Sequence, residues 1–100
     1  MPMTKLDRVQ RRIDLMGQLY ATGPLPPVFF QWVDGSLTVL QAVFGEGSPE
    51  VAAFLEAAGP DVHDPAATMI PNHTDWGTRA RMERCRAALD AAVEKLKAAA

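Results

Sequence analysis

The chain has 100 residues, 48% hydrophobic and 22% charged, which suits one modest globular core and excludes a wholly disordered chain. It contains no run of eighteen apolar residues, and Met1 leads into a charged amphipathic segment, so a cytosolic protein without a membrane span is expected. The net charge of −2 is split. Residues 1–12 hold Lys5, Arg8, Arg11 and Arg12 against Asp7, residues 13–78 hold acids but no Lys or Arg, and residues 79–100 are again basic. Two basic ends and an acidic middle predict charge complementarity inside the fold, or an anionic partner outside it.

The first helix is expected over residues 4–22. Thr4 reads as its N-cap with Asp7 three positions on, and Leu6, Val9, Ile13, Met16 and Tyr20 form one stripe. Gly23 reads as its stop, with Pro24, Pro26 and Pro27 holding an extended link. Residues 27–44 are ambiguous. Asp34-Gly35 is a hairpin signal, but Gln31, Asp34, Thr38 and Gln41 recur on one helical face. The second reading predicts a helix with an internal glycine, which costs about 1 kcal/mol of propensity. Ser48-Pro49-Glu50 opens a short helix over 49–58, presenting Val51, Phe54, Leu55 and Ala58. An irregular loop is expected at 59–77, with one helical turn from Asp64-Pro65 through Met69. The last helix, 78–98, has a seam of Met82, Cys85, Leu89, Ala92 or Val93, and Leu96. The expected fold is all-α, one domain of three long helices and one short helix, with a long irregular loop.

Few residues form a chemical motif. Cys85, the lone cysteine, leaves no intramolecular disulfide or CxxC zinc site, and its place in the seam predicts an inert buried thiol. The loop carries Asp61, His63, Asp64, His73 and Asp75, residue types that bind divalent metals. Their spacing matches no closed zinc pattern, and short polar residues beside proline serve turns and caps, so no metal or other cofactor is expected. Phosphate loops, GxSxG elbows and HExxH pairs are all lacking, so no enzyme is expected. Arg8, Arg11 and Arg12, with Arg81 and Arg84, make a nucleic-acid surface the alternative function.

Phe29-Phe30-Gln31-Trp32, followed by Leu37, Leu40 and Val43-Phe44-Gly45 and then Ser48-Pro49-Glu50 and Phe54, resembles a helical segment of bacterial antiphage proteins. That segment precedes the TIR-like nucleotide-binding domain in abortive-infection-type proteins, and Arg79–Leu96 resembles a later helix there. The resemblance covers residues 28–58 and 78–97 and has no counterpart of the TIR-like domain. It implies a non-enzymatic accessory module, a subunit or a mimic, that binds a protein partner or itself. Phe29, Phe30, Trp32 and Val33 are the expected contact residues, since four large side chains in so short a stretch exceed one helical stripe and exposed aromatics anchor interfaces. The competing expectation is that Gly23–Pro27 and the loop, through Met69, Ile70 and Trp76, fold over them.

Overall fold

A computed structural model describes residues 3–22, 26–62, 64–71 and 73–99. Four α-helices, α1 Lys5–Thr22, α2 Pro26–Phe44, α3 Pro49–Ala58 and α4 Thr78–Ala99, account for most of them, and no strand occurs among the described residues. The all-α expectation holds, and the Asp34-Gly35 hairpin does not form.

Local chemistry sets the helix starts. Thr4 and Asp7 cap α1 reciprocally: the Thr4 amide donates to Asp7 Oδ2 at 3.2 Å and the Asp7 amide to Thr4 Oγ1 at 3.1 Å. Ser48 Oγ accepts from the Val51 amide at 3.3 Å with Pro49 in the first turn of α3, which ends at Gly59 with φ +99°. Asp64 Oδ1 accepts from the Ala66 amide to open a 3₁₀ turn, Pro65–Met69. Asp64 is therefore a cap. The Gly23 stop, with Pro24, lies outside the described residues.

Each helix packs on its sequence neighbours, and α4 closes the ring against α1, so the core lies on the central axis of a four-helix bundle. At one end of the molecule Thr4, Lys5 and Leu6 border a shallow cavity with Leu96 and Ala99. The α1 stripe is Val9, Ile13, Met16 and Leu19, while Tyr20 is exposed; α3 buries Ala57 where Leu55 was expected. In α4 the seam residues Met82, Cys85, Leu89, Ala92 and Val93 are all buried.

The expected contact patch is core instead. Phe29, Trp32 and Val33 are buried and Phe30 is half-buried. At 100° per residue, Phe29, Trp32 and Val33 lie within a 100° arc, an ordinary core stripe, so they never needed a second exposed face. Trp32 packs against Phe29 and Phe54, with ring centroids 6.0 and 5.8 Å apart, which locks α2 to α3. Nor is the cover supplied by the loop: Met69 is 81% exposed, and Trp76 turns to α4 instead.

Candidate interaction surface

Two arginines read as nucleic-acid contacts are structural clamps. Arg12 reaches from α1 to α2, donating through Nε to Ser36 Oγ at 3.0 Å and through Nη2 to the Trp32 carbonyl at 3.0 Å. In return Trp32 Nε1 donates to the Arg12 carbonyl at 2.9 Å. Burial and the neighbouring Arg11 lower the Arg12 pKa. The guanidinium lies against Gly35, where an added Cβ would stand 2.7 Å from Nη2. The helix-interior glycine is the space the clamp occupies.

Arg81, 1% exposed, performs the same task between α4, α3 and the loop. It donates through Nε to the Trp76 carbonyl at 2.7 Å and through Nη1 to the Ala58 carbonyl at 3.0 Å. It also grips both carboxylate oxygens of Asp61, at 2.7 and 3.1 Å. These hydrogen bonds hold the Asp61 carboxyl below the usual carboxylate range. Again a glycine makes room: a Cβ at Gly59 would meet Arg81 Nη1 at 2.7 Å and Trp76 Cζ3 at 3.1 Å. With the Lys95–Glu50 ion pair, Arg81–Asp61 joins the basic last helix to the acidic middle, the internal complementarity expected. Arg81 is therefore unavailable to an external anion. Arg8 and Arg11 stay exposed.

No group of three metal-ligating side chains gathers among the described residues. Asp61 is spent on Arg81, Asp64 on its cap, and His63 lies outside the described residues. Cys85 is fully buried, and desolvation pushes its thiol up to about 12, against the opposing pull of Arg81 and Arg84.

The clamp at Arg81 fixes a feature of a different kind. Trp76, 43% exposed, has its carbonyl held by Arg81 and its ring flanked by the guanidinium carbons of Arg84 at 4.5 Å and Arg81 at 5.3 Å. It stands at one end of a groove between α3 and α4. Ala53, Glu56, Ala57, Arg84 and Ala88 line that end. The groove continues past Ala53 and Ala88 to Ala91, Ala92, Glu50 and Lys95. Arg84 Nη1 is enclosed there without a hydrogen-bond partner among the described residues. The sequence hid this surface, since Trp76 read as a cover for other aromatics. The signal was Arg81 and Arg84, three residues apart and so on one side of the Met82–Cys85 seam, just after a tryptophan.

None of the described helices is long and apolar enough to cross a membrane. No family model matches the chain, and neither does any curated protein or solved structure.

Proposed function

We propose that the chain is a non-enzymatic helical docking module that binds protein through the α3–α4 face around Trp76. The observation that carries this reading is the Trp76 ring, half exposed yet fixed by two guanidiniums and a backbone hydrogen bond beside an open groove. Trp and Arg are the residue types that dominate interface energetics, and an anchor held in place before contact loses little side-chain entropy on binding. The nucleic-acid alternative is weaker, because Arg12 and Arg81, two of its five arginines, are turned inward. A role as a cytosolic accessory subunit or mimic in bacterial antiphage defence belongs to the proposal through the sequence resemblance alone.

The test is a photo-crosslinking amino acid, benzoylphenylalanine, at Ala91 in the groove and, as control, at Ala42 on the exposed side of α2. The expected result is an adduct of defined mass from position 91, diminished by Trp76→Ala and lacking from position 42. Equal, diffuse adducts from both positions would refute the reading.

A further inference from the structure

The groove between α3 and α4 has a floor of small side chains and a charge at each rim, and these say what fits it. Ala53, Ala57 and Ala88 project too little to fill the space between the helices. Arg84 to Lys95 spans eleven residues of α4, about 16 Å at 1.5 Å per residue. A floor of alanine lets another pair of helices approach to about 8 Å between axes. At one end Arg84 and Glu56 border the groove, and neither has an ion-pair or hydrogen-bond partner among the described residues. At the other end Glu50 and Lys95 are paired.

We propose that the occupant is a second copy of this chain, docked groove to groove about a two-fold axis running along the groove. The proposal rests on the docking reading above and names its partner. Charge selects both occupant and axis. A two-fold axis across the groove would stack α3 on α3 and α4 on α4 in opposite directions. Arg84 would then face the second copy's Lys95, and Glu56 its Glu50, setting like charges together at both ends. An axis along the groove lays α3 over the other copy's α4. Arg84 then faces the second copy's Glu56 and Lys95 its Glu50, opposite charges at both ends and on both sides of the axis. The unpaired cation and unpaired anion of one chain complete each other in the pair. Trp76, beside Arg84, shields those contacts from water at one rim.

Sedimentation equilibrium of the full chain tests this, with circular dichroism to confirm that each variant keeps its helices. The expected mass is twice the 10.9 kDa of one chain. Arg84→Glu and Glu56→Arg should each weaken dimerisation by roughly tenfold or more, and the double exchange should recover most of the loss. Ala88→Arg, which fills the floor from a partly exposed position, should give a monomer of unchanged helicity. A wild-type chain that stays at 10.9 kDa up to millimolar concentration overturns the proposal. So does a dimer indifferent to both charge reversals. The crosslink at Ala91 separates the two levels: an adduct of twice the chain mass supports the second copy. An adduct to another protein, lost in Trp76→Ala, overturns the second copy and leaves the docking reading standing.

Discussion

Replacing Asp61 with Asn tests the clamp on which the Trp76 surface stands. The change keeps size and shape but strips the counter-charge from a guanidinium that is 1% exposed. Removing one partner of a fully buried pair costs about 3–5 kcal/mol. Here the Asp61 side chain is 40% exposed, so water reaches the site and screens part of that cost. Arg81 also keeps its bonds to the Ala58 and Trp76 carbonyls. The expected loss is therefore about 2 kcal/mol at pH 7, a fall of roughly 10 °C in Tm for a chain of this size. The pH dependence carries a sign. Arg81 lowers the folded-state pKa of Asp61, so its contribution is complete above the ordinary carboxylate pKa and disappears as pH falls through the lower folded value. Urea unfolding of wild type and Asp61→Asn, followed by circular dichroism from pH 7 down to pH 3, should show two curves that converge in acid. A gap under about 0.5 kcal/mol at pH 7 would refute the clamp. A gap that stays constant into acid would refute its ionic character.

Gly35→Ala should destabilise the wild type by about 1 kcal/mol, because displacing the Arg12 guanidinium outweighs the gain in helix propensity. In an Arg12→Ala background the same change should stabilise by about 0.5–1 kcal/mol, a reversal that urea melts of the four variants will reveal. Gly59→Ala should cost about 2 kcal/mol or more, since φ is +99° and the new methyl meets Arg81; a neutral result in thermal melts would contradict the packing there. The Cys85 thiol, pushed up to about 12, should resist a disulfide reagent at pH 8 until denaturant opens the fold, and immediate stoichiometric labelling would show the seam to be accessible.

Much of the fold could be read from short-range chemistry. Thr4 with Asp7, Ser48 with Pro49 and Asp64 with Pro65 mark helix starts because a cap is decided within three residues. The polar spacing through α2 outweighed Asp34-Gly35, since a turn signal acts only if the flanking residues alternate. What resisted reading is tertiary. Arg81 read as one arginine of a nucleic-acid surface with Arg8, Arg11, Arg12 and Arg84. Yet it lies four residues before Cys85, on the buried side of α4, and only the fold brings Asp61 and two carbonyls to it. Gly35 read as a propensity defect because Arg12, twenty-three positions earlier, was not visible as its neighbour. The surface around Trp76 was hidden for the same reason: its groove needs α3 and α4 side by side, across a loop of nearly twenty residues.

The closure of α4 onto α1 brings Thr4, Lys5 and Leu6 beside Leu96 and Ala99 at one end of the bundle. A few glycine and serine residues can therefore bridge the start of α1 and the end of α4 without bending either helix. The natural place to reopen such a ring is the turn of Gly45, Glu46 and Gly47, all exposed, where no core side chain is lost. The circular permutant would start at α3 and run through α4 into α1 and α2. The Trp76 groove would then form from helices adjacent at the new beginning of the chain, while the long-range α1–α4 pairing became a local one. The permutation therefore exchanges one long closure for another: α1 on α4 becomes local, while α2 on α3, joined through Trp32 and Phe54, becomes the pairing of the first and last helices.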